Sequence, residues 1–130
     1  MIVVDASVLA PALADDGSDG DRARERLAGE TLAVPALADL EVASLLRGAA
    51  LRGQLDPRRS GQAIADLIAI PLRRAPHGPL LPRIWELREN VTVYDAAYLA
   101  LAEALGVVFL TADKRLAQAP GCQCEVEVLN

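Results

Sequence analysis

Two short apolar runs, each leading into an acid, constrain this chain more than any other feature. Ile2-Val3-Val4 is β-branched, too short for a helix, and stops at Asp5. Val107-Val108-Phe109-Leu110 is a second run, leading through Thr111 to Asp113. Apolar runs without alternation read as strands buried on both faces, the condition of a parallel sheet. Between them lie Ala- and Leu-rich segments with helical spacing, near residues 7–14, 20–28, 36–52, 57–69, 79–89 and 95–105, with Gly29, Gly53 and Gly106 placed as stops. Leu32-Ala33-Val34 before Pro35 reads as a further strand, Leu72-Arg73-Arg74 as another, and Glu125–Val128 as an edge strand with period-two alternation. Strands alternating with helices imply an α/β fold, a parallel sheet covered on both faces.

The length of 130 residues suits one domain spanning 1–130, and 52% apolar against 24% charged residues is too hydrophobic for disorder. Asp39, Glu41, Asp95 and Glu103 interrupt the most hydrophobic regions, so no membrane span is expected. Met1–Val4 has no basic flank and meets Asp5 before an apolar run builds, which points to a cytoplasmic protein. Cys122 and Cys124 are spaced poorly for a disulfide and lack partners for a structural zinc site, so they read as inert thiols.

A net charge of −5 argues against a broad electrostatic grip on nucleic acid but leaves room for a local basic rim. Among the 13 cations only Lys114 is a lysine, and Arg47, Arg52, Arg58, Arg59, Arg73 and Arg74 crowd the middle third, where they are either a phosphate-gripping rim or solvated helix faces. Four aromatics (Trp85, Tyr94, Tyr98, Phe109) are too few for a base-stacking platform, so any bound RNA would be held by its backbone.

In open α/β sheets ligands bind beyond the carboxyl ends of the strands, where Asp5 and Asp113 both fall. Each alone also reads as a helix cap. Glu41 has Leu37 and Leu45 four residues to either side, which puts it on a core-facing stripe, where an unpaired carboxylate needs a cation or a hydrogen-bond partner; a buried salt bridge to an arginine is the simplest answer. Asp95 opens Asp95–Ala102, apolar on nearly every side and therefore a deeply buried helix, with the acid as N-cap or first-turn residue. If Asp5, Glu41, Asp95 and Asp113 converge, they cannot all stay ionised without a cation. Magnesium takes oxygen ligands from one or two carboxylates and leaves room for substrate phosphate, which makes phosphodiester hydrolysis the chemistry to expect.

Met1–Ser7, Val34-Pro35 with Leu40-Glu41-Val42, Tyr94–Ala102 and Leu110–Leu116 together resemble the PIN-domain ribonucleases, specifically the VapC toxins of bacterial type II toxin-antitoxin modules. The resemblance spans almost the whole chain. It implies a three-layer α/β/α sandwich around a central parallel sheet, a magnesium-dependent endoribonuclease site in which manganese can substitute, a homodimer, and inhibition by a cognate VapB-type antitoxin lying in the active-site groove. By the same resemblance Asp5, Glu41, Asp95 and Asp113 are the catalytic acids, and Asp5, Asp95 and Asp113 the metal ligands. Glu41 then ligates through water or positions the attacking water, while Ser7 and Thr111 orient carboxylates. Asn90 matches the run before Tyr94 and is given a positioning role.

Other readings fit less well. A dehalogenase-type phosphatase needs an acid at Ser7, a phosphoacceptor receiver domain needs paired acids after the first strand, and a dinucleotide fold needs glycines where Asp5-Ala6-Ser7-Val8-Leu9 has none. The rival from another class is a noncatalytic PIN-like binding or regulatory module. His77, inside Ala75-Pro76-His77-Gly78-Pro79, reads as a surface loop residue, Trp85 as filling the core or a dimer seam, and Asp15–Gly20 as an exposed loop.

Overall fold

The computed structural model describes residues 1–130. Strands β1 (Ile2–Val4), β2 (Leu32–Pro35), β3 (Leu72–Ala75), β4 (Phe109–Thr111) and β5 (Val126–Val128) form one sheet in the order β3-β2-β1-β4-β5. Every neighbouring pair is parallel, with Val3 opposite Ala33 on one side and Phe109 on the other. The apolar run at 107–110 enters the sheet two residues later than its hydrophobicity suggests. β5 is half-buried at all three positions instead of alternating, because it lies at an edge.

Helices α1 (Ala6–Ala14) and α2 (Ser18–Leu27) join β1 to β2, while α3 (Ala38–Leu51) and α4 (Pro57–Ala69) join β2 to β3. The chain then reverses across the sheet, through a 3₁₀ turn (Gly78–Leu80), α5 (Leu81–Glu86) and α6 (Val93–Leu105), to reach β4. Right-handed crossovers in opposite directions put α1–α4 on one face and α5–α6 on the other, giving the three-layer α/β/α sandwich. α6 packs across β1, β2 and β4, and α1 covers β4 on the other side. The seven residues Ala96–Ala102 are all buried, as the continuous apolar pattern requires. Gly106 ends α6 in the left-handed region at φ 66°, and a Cβ at Gly20 would strike the Asp15 carbonyl, so α2 closes on the α1–α2 turn only with glycine there. No helix is long and apolar enough to cross a membrane.

Trp85 is 63% exposed, with Arg88 stacked over its ring at 4.7 Å and Leu81 exposed beside it, so of its two expected places the core is excluded and a dimer seam is not touched by the single chain. One packing expectation fails. The buried stripe of α3 is Ala38, Val42 and Leu46, whereas Leu45 is 48% exposed; Glu41 borders that stripe and is half-buried. Cys122 and Cys124 are free, and burial pushes the Cys124 thiol up to about 12, as suits an unreactive group. The 15–20 stretch is shorter as a loop than its composition suggests, since α2 already begins at Ser18.

Candidate active site

A helix that follows a parallel strand runs back antiparallel to it, so its N-terminus lies at the strands' carboxyl edge. Asp5 follows β1, Glu41 is in the first turn of α3, Asp95 is in the first turn of α6, and Asp113 follows β4. The topology therefore brings all four acids to one rim. The order reverses between β1 and β4, the position where ligands bind in open sheets.

Asp5 occupies the N-cap position of α1, yet its carboxylate makes no cap bond. Instead Oδ2 accepts the Thr111 hydroxyl at 2.7 Å and the Ser7 hydroxyl at 2.8 Å, and the side chain is 8% exposed. Thr111 Oγ1 in turn accepts the Asp113 amide at 3.0 Å, and Ser7 Oγ accepts the Ala112 amide at 3.0 Å. Each hydroxyl is thus oriented by the backbone after β4 and spends its proton on Asp5. Asp113 does act as a cap, accepting the Arg115 amide at 3.0 Å, and it also pairs with the Arg115 guanidinium at 2.6 Å. That pairing holds its carboxyl below the usual range.

Glu41 has no arginine partner. Its Oε1 accepts the hydroxyl of Tyr98 at 2.7 Å. Burial pushes the Glu41 carboxyl up; the phenol opposes this, and the charges of Asp5 and Asp95 add to it. Asp95 is also raised, first by burial and then by Asp5 and Asp113, with the Thr92 hydroxyl and Arg115 acting the other way. Thr92 is the cap of α6, its hydroxyl accepting the Asp95 amide at 3.1 Å.

Asp5, Glu41 and Asp95 are in no salt bridge with lysine or arginine. This is a negative, hard-oxygen donor set, the chemistry that suits a divalent cation. No three His, Cys, Asp or Glu side chains are gathered closely enough to hold an ion by themselves. The set therefore fits magnesium, which keeps several waters, better than an all-protein cage. A groove of about 780 Å³ starts at Ser7 and runs between α1 and α3, walled by Ala10, Pro11, Ala14, Leu46 and Ala49, with Arg52 and Arg59 in its lining.

A PIN-domain family model matches residues 2–121. VapC ribonuclease Mb0985 of Mycobacterium bovis is 43% identical over 129 residues, covering 99% of this chain and 98% of that protein. The chain belongs to the VapC family of PIN-domain ribonucleases. Among solved structures, the Mycobacterium tuberculosis VapC20 toxin, described as cleaving the sarcin-ricin loop, superposes on this VapC-family fold with a TM-score of 0.70 at 17% identity, over 91% of this chain and 94% of that one. A toxin-antitoxin complex from Klebsiella pneumoniae gives 0.67 at 18% identity, over 100% and 98%. At those identities the likeness is one of fold.

Within this VapC chain the structure adds detail to three sequence readings. Asn90 donates to the Pro120 carbonyl at 2.9 Å and makes no hydrogen bond to the four acids, so it ties a loop to the C-terminal segment. His77 does lie in a turn, but its Nε2 accepts the Leu37 amide at 2.9 Å, which caps α3 from 40 residues away. The arginines of the middle third do not form one free rim, since Arg59 pairs with Asp16 and Arg74 with Asp39, while Arg47, Arg58 and Arg73 are exposed. Tyr98 is the site contact that sequence reasoning missed. The available signal was its place one helical turn from Asp95, on the same face.

Proposed function

We propose that this VapC-family chain, acting as one PIN domain over residues 1–130, is a divalent-metal-dependent endoribonuclease toxin, with Asp5, Glu41, Asp95 and Asp113 as its catalytic acids. The observation that carries the reading is the trio Asp5, Glu41 and Asp95, which share one rim with no salt-bridge partner among them, while the charge of Asp5 adds to the burial that pushes the Glu41 and Asp95 carboxyls up. A fold gains nothing from such a cluster unless a cation completes it. Asp5 and Asp95 would hold magnesium, with Asp113 as a further ligand once Arg115 gives way, and manganese could substitute.

Bound there, the ion would lower the pKa of a water and offset charge on the phosphoryl oxygens. The rest falls to the protein. Glu41, half-buried on the rim, would accept the proton of the water that attacks phosphorus. The water oxygen bonds to phosphorus as the bond to the leaving ribose oxygen breaks, and that oxygen takes its proton from solvent. Ser7 and Thr111 keep the Asp5 carboxylate in one orientation while this happens. The net charge of −5 and the scattered arginines favour a substrate held locally at its backbone rather than over a wide surface.

The partner we infer is a VapB-type antitoxin, with an apolar segment in the groove between α1 and α3 that reaches the acids past Ser7. A homodimer and a cytoplasmic location, where RNA is met, complete the reading. The test is cleavage of total bacterial RNA by the purified chain in magnesium, in EDTA, and as Asp95→Asn. Discrete products that need magnesium and disappear in both controls support the nuclease. A folded, antitoxin-free chain that cleaves nothing in magnesium or manganese overturns it in favour of a noncatalytic module.

A further inference from the structure

Resting on the nuclease reading, we propose that Tyr98 is a positioning residue for Glu41, its buried hydroxyl fixing the carboxylate that handles the attacking water. Tyr98 is 1% exposed, and its ring stacks on Phe109 of β4 with centroids 5.5 Å apart, so the phenol cannot swing. Its hydroxyl reaches across 57 residues of sequence to Glu41 Oε1 at 2.7 Å. One atom therefore links α6 and α3, the elements that carry Asp95 and Glu41.

The chemistry of the pair fixes its direction. Burial and the Glu41 charge push the phenol far above its ordinary value, so it stays protonated and donates. A carboxylate on a half-exposed helix turn otherwise samples several rotamers, and a proton acceptor must be held within a fraction of an ångström of its productive place. Glu41 has no other side-chain donor. The same bond satisfies one Glu41 oxygen and leaves the second free for water.

Tyr98→Phe keeps the ring and its stacking and removes only the hydroxyl. Its thermal midpoint and circular dichroism should remain those of a folded chain. Its kcat on RNA should fall about 10- to 100-fold with KM unchanged, and manganese affinity of the free protein, read by calorimetry, should fall about 10-fold. In a Glu41→Gln background the same change should cost almost nothing more, because the two residues act as one unit. Additive losses in the double variant, or wild-type kcat and manganese affinity in Tyr98→Phe while Glu41→Gln loses both, overturn the assignment. Should Tyr98→Phe not fold, the unmutated chain decides. The Cζ resonance of Tyr98 should move with Glu41→Gln and on adding magnesium, and a resonance indifferent to both overturns the proposal. A wild-type chain that neither binds manganese nor cleaves RNA is a different result, one that removes the nuclease reading itself.

Discussion

Replacing Thr111 by valine tests the hydroxyl network with little change of shape, since the two side chains are near-isosteric and both are β-branched. Thr111 is fully buried, and its hydroxyl donates to Asp5 at 2.7 Å while accepting the Asp113 amide at 3.0 Å. A hydrogen bond to a charged group contributes about 1.5–3 kcal/mol, and one to a neutral amide about 0.5–1.5. Asp5 keeps its bond from Ser7, and the Asp113 amide lies near solvent, so the variant should lose about 2–4 kcal/mol. For a chain of this size that is a fall in thermal midpoint of roughly 3–5 °C per kcal/mol. Ser7→Ala should cost about 1 kcal/mol, because water can reach its partners. The double variant should lose more than the sum, since each hydroxyl is the other's substitute at Asp5 Oδ2. Urea and thermal unfolding of the four proteins in EDTA give the numbers. Thr111→Val within about 0.5 kcal/mol of the parent, or Ser7→Ala costing more than Thr111→Val, would refute the account of who holds Asp5.

Two further outcomes follow from the rim. Glu41 and Asp95 titrate above the ordinary carboxylate range, so their contribution to stability is complete below about pH 4 and is lost as pH rises through their folded-state values; Asp113 and Glu127 titrate below it and lose theirs as pH falls. In EDTA, Glu41→Gln should therefore flatten the decline in stability as pH rises above about 4.5, and identical slopes in the two proteins would count against a strained rim. Arg115→Ala should return the Asp113 carboxyl toward its ordinary value and raise manganese affinity about two- to five-fold, the scale of one exposed ion pair; an unchanged or lower affinity by calorimetry would show that Arg115 does not compete for Asp113.

The strand-end acids were the most legible part of the site, because an acid directly after a buried run has one place to go in a parallel sheet. Asp95 was nearly as clear, opening a helix whose apolar surround left its neighbours no alternative to burial. Glu41 was found for a partly mistaken reason. Leucines on both sides of it suggested a core stripe, but α3 buries Ala38, Val42 and Leu46 and leaves Leu45 outside. Spacing defines the stripes on a helix; it does not say which of them the neighbouring helices will cover. The same ambiguity applies to Trp85, whose helical interval from Leu81 is real although both face outward from the single chain, away from the core. The contacts that lay beyond reach join residues far apart in sequence, Tyr98 with Glu41 and His77 with Leu37. Nothing local in either partner specifies the other.

One consequence of the sheet order concerns time. β1 is the first element made, yet it is flanked by β4, and Asp5 takes its hydroxyl from Thr111, 106 residues later. Contacts of such span form late, after the closure of long loops, and on the ribosome they must wait for the second partner to emerge. A nascent chain that has exposed Asp5, Glu41 and even Asp95 still lacks the strand that seats them. Under the proposed nuclease reading, the order of strands thus delays assembly of the site until the chain is nearly complete.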